Sequence, residues 1–400
     1  RPARAPHVEV SFDVVSGHAP HYRRRQQTVS GRTSPRVRVR AGFLTDGVVR
    51  RAMRVAVVSL FTPQHGETPA RARTHRTAAD LAARGHDVVW LCARWWGGSV
   101  QTFELDGIAY RAVLDGPSPT TFAARLPTEL RAVAPDVVHA INTPPLPALA
   151  AVLAGRLGGP PVLVDWWREH PVDSRTVARH LARRASVVTT PTQTTKTRVR
   201  EHGATDATVD VVPERIDVDR ITDAPVDDRF DAVYSRRLDR HAGAETFLLA
   251  LAERRRDDWT AAVIGDGPER DRLEAAAADL RIDDRVAFLG DRPLDERVAI
   301  FRGAHTFAQT AAREPFATEL LWALACGCVG LVEYQAASSA HELVEGRERG
   351  RLVTNPAELA DAMAAVADAD RLSADPTFES YDRSVVLEQY LDRYRSLVEP

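Results

Sequence analysis

The stretch that decides the fold is Arg313-Glu314-Pro315-Phe316-Ala317-Thr318-Glu319-Leu320-Leu321-Trp322-Ala323-Leu324-Ala325-Cys326-Gly327. Its pattern predicts a helix, because Pro315 suits the first helical position and Gly327 suits the residue just past the end. Phe316, Leu320 and Leu324 recur at helical spacing on one face, so this face is expected to pack on a sheet.

Glu314 stands directly before this predicted helix. There the amides of Phe316, Ala317 and Thr318 would point outward, and the helix dipole would favour an anion. A phosphate at this position, beside a carboxylate able to hold sugar hydroxyls, would form a cradle for a nucleotide sugar. The alternative is that Glu314 is an N-terminal capping acid on an ordinary core helix, and the residue pattern taken alone favours that alternative.

Outward from this helix, the chain from Met53 alternates buried strands with amphipathic helices. The predicted strands are 54–60, 87–92, 136–140, 162–165, 187–190 and 209–212, then 231–235, 261–264, 286–289, 306–309, 329–333 and 352–353. Continuous apolar strands separated by helices indicate parallel sheets covered on both faces. The expected fold class is therefore α/β, with two doubly wound sheets in tandem.

The alternation is interrupted once, by Pro213-Glu214-Arg215-Ile216-Asp217 and an Asp/Pro-rich stretch after it. We expect a first Rossmann-like domain at 53–216, a linker at 217–229, a second Rossmann-like domain at 230–383, and a C-terminal helix at 384–400 that packs back on the first domain. Two such domains face each other across a cleft at the carboxyl ends of their strands, where ligands of this architecture bind.

Composition narrows the classes of function. Residues 1–52 contain eleven arginines against three acidic residues, a net charge of +8, so the rest of the 400-residue chain carries −10. This basic segment has no sustained period and is expected to be a disordered extension. The acidic remainder argues against nucleic acid as a partner. Three scattered cysteines imply no disulfide framework and favour a cytoplasmic protein.

Seven motifs resemble one known family. Their order along the chain is Ala83-Arg84-Gly85-His86-Asp87-Val88, Pro135-Asp136-Val137-Val138-His139, Val211-Val212-Pro213-Glu214-Arg215-Ile216-Asp217, Arg237-Leu238, Gly265-Asp266-Gly267-Pro268-Glu269, the stretch from Glu314 to Gly327, and His341-Glu342-Leu343-Val344-Glu345-Gly346. From Met53 onward the chain thus resembles a family 4 glycosyltransferase of the GT-B fold. Such enzymes are retaining and use a nucleotide-sugar donor.

The resemblance implies roles for several residues. Glu314 would hold hydroxyls of the donor sugar and Arg237 would neutralise the donor diphosphate, for which a guanidinium fork is suited. The implied donor site also includes Gly265, Gly267, Pro315, Phe316, Ala317, Thr318 and Glu342. On the acceptor side the candidates are Gly66, His139 and Asp165, although His139 reads equally as a core histidine.

Three positions depart from the family pattern. Trp322 stands where a second glutamate is expected, Ala242 where a lysine is expected, and Trp167 where a histidine is expected. The departures keep open a catalytically inactive nucleotide-sugar-binding protein. A nucleotide-sugar epimerase on the same fold is a further alternative, against which the Glu314-Pro315-Phe316 stretch argues.

The resemblance therefore implies an enzyme that moves a sugar from a nucleoside diphosphate sugar to an acceptor hydroxyl with retention of configuration. No metal or other cofactor is expected, since Asp217-Val218-Asp219 and Asp368-Ala369-Asp370 lie in the predicted linker and at a predicted helix end. The expected acceptor is a glycan or a lipid-linked sugar of the cell surface. Peripheral association with the inner face of the cell membrane is expected to accompany such an acceptor.

Overall fold

Two parallel sheets covered by helices form the scaffold, as the sequence predicts. The computed structural model describes residues 43–45, 48–66, 68–167 and 174–399. Residues 42–400 belong to one compact unit, so both sheets lie in the same unit. Of the basic segment predicted at 1–52, residues 1–42 and 46–47 lie outside the described residues.

The first sheet has eight strands. They are β3 (Arg54–Val58), β4 (Asp87–Ala93), β5 (Thr102–Leu105), β6 (Ile108–Leu114), β7 (Val137–Ile141), β8 (Val162–Asp165), β9 (Val187–Thr190) and β10 (Val209–Val211), in the spatial order β10-β9-β8-β7-β3-β4-β6-β5. Among the described strands of this sheet, only the edge pair β5 and β6 is antiparallel. The helices of this half are α1 (Pro69–Ala83), α2 (Pro119–Val133), α3 (Pro145–Arg156), α4 (Arg175–Arg184) and α5 (Gln193–Glu201).

The second sheet has six strands, all parallel. They are β11 (Ala232–Ser235), β12 (Ala261–Ile264), β13 (Val286–Gly290), β14 (Thr306–Gln309), β16 (Val329–Glu333) and β18 (Gly350–Val353), in the order β13-β12-β11-β14-β16-β18. Its helices are α7 (Ala244–Glu253), α8 (Arg270–Asp279), α9 (Leu294–Gly303), α10 (Thr318–Ala325) and α11 (Pro356–Ala365). Two short strands, β15 (Arg313–Glu314) and β17 (Ala337–Ser338), pair in parallel beside this sheet.

The C-terminal helix crosses back to the first sheet, as expected. This helix, α12 (Arg383–Val398), buries Leu387, Tyr390 and Tyr394 in the cluster formed by the first sheet and α1. The chain crosses between the sheets twice, and the two crossings are hydrogen-bonded: the Ile216 amide donates to the Tyr381 carbonyl at 2.9 Å, and the Arg383 amide donates to the Ile216 carbonyl at 2.8 Å. Both crossings therefore run side by side.

Two local expectations are corrected. The stretch expected to be a linker, 217–229, contains a short helix, α6 (Val218–Asp223), because the Asp217 side chain accepts a hydrogen bond from the Arg220 amide and caps it. In the segment expected to be disordered, β1 (Phe43–Thr45) and β2 (Val48–Arg50) pair antiparallel. The intervening Asp46-Gly47 is a sequence that favours hairpins.

Candidate active site

A cavity of about 960 Å³ lies where the carboxyl ends of the two sheets face each other. The first half contributes Pro69, Trp166, Trp167, Arg175, Thr195 and Arg198 to its wall. The second half contributes, among others, Ser235, Arg236, Arg237, Asp239, Gly265, Arg297, Gln309, Glu314, Phe316 and Glu319. Among the residues that the structure describes, seven arginines and four acidic residues line this cavity, so its charge suits a polyanionic ligand.

One acid of the cavity, Glu314, has a strongly raised pKa. Its carboxylate contacts the Arg236 guanidinium. Burial raises the pKa of Glu314 to about 7, with Glu319 and Asp239 raising it further, while Arg236 and the Phe316 amide act in the opposite direction. A carboxyl that titrates near neutral pH inside a cleft is a candidate for a functional group.

The start of the predicted helix is corrected by the structure. The helix α10 begins at Thr318 and not at Pro315, because Arg313 and Glu314 are held as a strand against Ala337 and Ser338. The Phe316 amide bonds the Glu314 carboxylate. The Thr318 amide donates to the Phe316 carbonyl at 3.0 Å. Two of the three amides expected to form an open anion site, those of Phe316 and Thr318, thus have partners within the turn.

The remaining residues of this stretch divide between two cavities. Pro315, Phe316 and Thr318 line the 960 Å³ cavity. Ala317 and Glu342 line a neighbouring cavity of about 650 Å³, which Phe316 also reaches. In that second cavity the Glu342 carboxylate accepts hydrogen bonds from the amides of Gln193 and Thr194, at 2.8 and 2.7 Å. Glu342, a residue of the second half, is therefore hydrogen-bonded to the first half of the molecule and does not line the main cavity.

Arg237 lies where the sequence places it, in the loop after β11, and is exposed in the cavity. Within the described ranges, Arg237 makes no ion pair, whereas its neighbour Arg236 is paired with Glu314 and lies 3.9 Å from Asp239. The sequence motif singled out the second arginine of the pair and missed the first. Of these two arginines, Arg237 is the one that remains available to a phosphate.

The glycines of the loop after β12 have a packing role. A Cβ on Gly265, whose φ is +123°, would lie 2.1 Å from the Arg236 carbonyl oxygen. A Cβ on Gly267 would lie 2.3 Å from the Leu238 carbonyl oxygen. The glycines therefore allow the loop after β12 to pack closely against the loop after β11, and not against a ligand as expected. This packing holds Arg236 and Arg237 against the end of β12. Gly265 also lines the cavity, whereas Gly267 does not.

Sequence reasoning missed a second polar group in the cavity. Glu319, in the first turn of α10, contacts Arg297 and accepts a hydrogen bond from the Ser235 hydroxyl at 3.1 Å. Among the described residues, the buried Arg236 Nε, Arg297 Nε and Gln309 Oε1 have no hydrogen-bond partner. These polar atoms indicate a wall built to meet a polar ligand. The polar residues at the ends of β11 and β14 were the available signal.

The three acceptor-side candidates do not line the cavity. His139 and Asp165 are 2% and 3% exposed and belong to a buried network. His139 Nδ1 lies 2.5 Å from the Tyr394 hydroxyl, and Asp165 lies 3.5 Å from Arg73 Nε. Gly66, with a φ of +125°, ends a short turn, and its carbonyl accepts a hydrogen bond from Arg71.

Asp165 is ionised by its surroundings. Burial opposes ionisation, but Arg73, the nearby His139 ring at 3.8 Å and a hydrogen bond from Thr189 hold the pKa of Asp165 at about 2. The Thr189 hydroxyl donates to Asp165 at 2.9 Å and the Tyr390 hydroxyl at 3.4 Å. This ion pair joins α1 and β8 to α12, so its evident role is structural.

The positions that depart from the family pattern are all buried. Trp322 is 6% exposed and packs in the core beneath α10, and Ala242 is 2% exposed. Trp167 is 5% exposed, lines the cavity, and lies over Phe316 from the opposite half of the molecule, with ring centroids 6.4 Å apart. Arg73 lies 5.2 Å from the Trp167 ring centroid.

Within the parts of the chain that the structure describes, no three His, Cys, Asp or Glu side chains are grouped as a metal site would require. Across the same residues, no helix has both the length and the apolar character needed to span a bilayer.

Comparison with known protein families gives two consecutive matches. Residues 70–214 match the model described as a glycosyl transferase 4-like domain. Residues 217–381 match the model described as glycosyl transferases group 1. Together the two models cover more than half of the chain.

Individual relatives point the same way. Over 178 residues the chain is 32% identical to a 2-deoxystreptamine glucosyltransferase of Streptomyces kanamyceticus, an alignment that covers 40% of this chain and 45% of that protein. Over 291 residues it is 26% identical to a GDP-mannose-dependent alpha-(1-6)-phosphatidylinositol monomannoside mannosyltransferase of Mycolicibacterium smegmatis, covering 67% of this chain and 74% of the relative. The chain thus spans less than half the length of the first of these two relatives.

A solved structure has the same fold. Anabaena HepE in complex with UDP-glucose superposes with a TM-score of 0.65 at 19% identity, covering 86% of this chain and all of that one.

Proposed function

Because the chain belongs to the family 4-like glycosyltransferases of the GT-B fold, we propose that it transfers a sugar from a nucleoside diphosphate sugar to an acceptor hydroxyl with retention of configuration. The observation that carries this proposal is the cavity between the two sheets. There Glu314, with a pKa of about 7, stands in a wall in which arginines outnumber acids.

The donor diphosphate would lie against Arg237. This guanidinium is exposed in the cavity and is positioned by the loop that Gly265 and Gly267 allow to pack closely. Arginine binds phosphate oxygens through two parallel N–H donors, which fixes both position and orientation. Because side chains of this chain supply the positive charge, we propose that donor binding needs no metal.

The transferred sugar would lie beside Glu314. A carboxylate accepts hydrogen bonds from sugar hydroxyls, and its neutral form can donate one, so a group that titrates near neutral pH can do either. In this scheme the leaving diphosphate helps to take the proton of the acceptor hydroxyl. The chemistry then depends on charge stabilisation in the cavity more than on a dedicated base.

The first half of the molecule would present the acceptor. Trp167 and Arg175 face the cavity from that side, and Trp167 meets Phe316 across it. The names of the relatives favour an acceptor that is a glycan, a lipid-linked sugar or another polyhydroxylated molecule. We place the reaction in the cytoplasm, at the inner face of the cell membrane if the acceptor is a lipid.

The direct experiment measures turnover of UDP-, GDP- and ADP-sugars by the wild type and by Glu314→Ala. Wild-type transfer or donor hydrolysis is expected, and the variant should lose about a hundredfold or more, since it removes a charged contact at the reacting sugar. Equal background turnover in both proteins would contradict the proposed enzymatic activity and favour an inactive nucleotide-sugar-binding protein. Release of a sugar with altered configuration, and no transfer product, would favour an epimerase.

A further inference from the structure

A single carboxylate connects the two walls of the cavity. Glu342 belongs to the second half of the molecule, in the short turn Ala340–Leu343, yet both of its carboxylate oxygens accept hydrogen bonds from the first half. The donors are the amides of Gln193 and Thr194, at 2.8 and 2.7 Å, and these are the first two residues of α5.

The first turn of α5 explains why an acid is held there. Amides at a helix start have no partner within the helix, and the dipole of the helix favours a negative charge at that end. The Thr192 hydroxyl accepts a hydrogen bond from the Thr195 amide at 3.0 Å. The amides of Gln193 and Thr194 are bonded by Glu342 from the other half of the molecule. The start of α5 is thus capped both by its own N-cap residue, Thr192, and by Glu342 from the opposite wall.

The segment that carries Glu342 is also bonded to the Glu314 loop. The Ser339 amide donates to the Glu314 carbonyl at 2.9 Å, and the Ser339 hydroxyl donates to the Pro315 carbonyl at 2.7 Å. In addition, Ser338 is paired in register with Glu314 in the short parallel sheet. A displacement of Glu342 would therefore be transmitted through Ser339 and Ser338 to the backbone of Glu314.

The other end of the connection also reaches the cavity. α5 contributes Thr195 and Arg198 to the cavity wall, and Arg198 donates a hydrogen bond to the Ala336 carbonyl at 3.4 Å. Ala336 directly precedes the strand that pairs with Glu314. One wall of the cavity is thus fixed to the other through the segment 336–342.

We propose that Glu342 is a positioning residue: its carboxylate holds α5 of the first half against the Glu314 loop of the second, and thereby sets the separation of the two walls. The inference rests on the proposed function. It differs from the donor-contact role expected from the sequence, because it assigns the ligands of the Glu342 carboxylate to backbone amides of this chain and not to the nucleotide sugar.

The variants follow from this geometry. Glu342→Ala removes both hydrogen bonds, and Glu342→Gln keeps one acceptor oxygen. Gln193→Pro deletes one of the two donors without changing charge. It is compatible with the fold because proline suits the first helical position and the preceding Thr192 is extended, with φ −146° and ψ 159°. Glu345→Gln, an exposed acid three residues further along, is the matched control.

The expected kinetic result is a loss of kcat with donor binding retained. The kcat of Glu342→Ala should fall by about tenfold or more, while the Kd for the most stabilising of UDP-glucose, GDP-mannose and ADP-glucose changes by less than about threefold. Glu342→Gln and Gln193→Pro should be intermediate, and combining them should cost less than the sum of the single effects. A Kd that rises in step with the loss of kcat/KM, at unchanged kcat, would overturn the proposal and restore a donor-contact role.

A second readout does not depend on activity. In solution X-ray scattering without ligand, Glu342→Ala should have a larger radius of gyration than the wild type and Glu345→Gln, with Gln193→Pro in between. Unchanged dimensions in Glu342→Ala and Gln193→Pro would overturn the positioning role. If the wild type turns over no donor but the variants do expand, the proposed function fails while the connection between the walls stands.

Discussion

At the scale of single residues, the central observation is the environment of Glu314. The sequence analysis predicted a functional role for Glu314 and for Arg237, but it missed the neighbouring Arg236. The pairing of Glu314 with Arg236 could not be predicted, because the two residues are 78 positions apart and meet only in the folded chain, where the loop after β11 reaches β15. The elevated pKa has the same origin, since burial is a property of the folded chain.

This pKa predicts a pH-dependent stability. The carboxyl has an ordinary pKa of 4.5 and a folded pKa of about 7, so between these values the folded state binds more protons than the unfolded state. The contribution of Glu314 to stability therefore falls as the pH rises through this window, by roughly 3 kcal/mol in total. Glu314→Gln should remove that part of the slope in urea unfolding measured from pH 5 to pH 8. Superimposable pH profiles of the two proteins would contradict the assignment.

At the scale of secondary structure elements, the alternation of buried strands and helices was predicted from the sequence, whereas two hairpins were missed. The pair β5 and β6 was missed because Ile108–Leu114 is only partly apolar in pattern, with buried and half-buried positions alternating along its first half. The signal was nevertheless present, since Asp106 and Gly107 join the two strands with φ values of +53° and +73°, as a two-residue hairpin requires. Asp46-Gly47 between β1 and β2 is the same dipeptide.

The two ends of α10 show what local sequence can decide. Its end was predicted correctly: the helix stops at Ala325, and Gly327 follows with a φ of +96°. Its start was not, because Pro315 is compatible with a helix but the pairing of Arg313 and Glu314 with β17 depends on residues more than twenty positions away.

The role of Gly327 gives a prediction with a matched control. A Cβ at Gly327 would lie 2.4 Å from the Leu372 carbonyl oxygen, whereas a Cβ at Gly346, with a φ of +71°, has no heavy atom within 4 Å. Gly346→Ala should lower the free energy of unfolding by about 1 kcal/mol, because alanine disfavours the left-handed backbone conformation. Gly327→Ala should cost about 1–3 kcal/mol more in urea unfolding, because the loop at Leu372 must move. Equal losses in the two variants would show that the Leu372 contact is not rigid.

At the scale of the whole molecule, a buried charge network fixes α12 to the first half. Arg73 donates to the Tyr390 hydroxyl at 2.5 Å and to the Val212 carbonyl at 2.7 Å, and it pairs with Asp165. The crossing of the C-terminal helix could be predicted from its position and length. The network could not, since His139 and Asp165 were expected to face the acceptor and are instead enclosed by α12.

The network predicts a large effect on stability and a small one on ligand binding. Asp165→Asn leaves the buried Arg73 with less compensating charge and should cost about 3–5 kcal/mol in urea unfolding. The control Asp87→Asn breaks the half-exposed pair with Arg54 and should cost less than about 1 kcal/mol. Donor binding by folded Asp165→Asn should match that of the wild type, since Asp165 does not line the cavity. A selective loss of binding at unchanged stability would instead place Asp165 in the site.

The charge of the cavity is the property of the whole molecule on which the account depends most. Its arginines come from both halves, and Arg237 is the one that we assign to the donor diphosphate. Arg237→Ala should weaken donor binding without unfolding the protein, since Arg237 is exposed. Arg256→Ala, an exposed arginine outside the cavity wall, is the matched control.

Thermal unfolding with UDP-, GDP- and ADP-sugars tests this claim most directly. At a donor concentration of about 100 times Kd, the wild type and Arg256→Ala should be stabilised by about 2.7 kcal/mol, and Arg237→Ala should need a much higher concentration for the same effect. At least one of these nucleotide sugars should raise the Tm of the wild type, and the increase should depend on Arg237. Failure of every nucleotide sugar to raise the Tm at saturating concentration would contradict it.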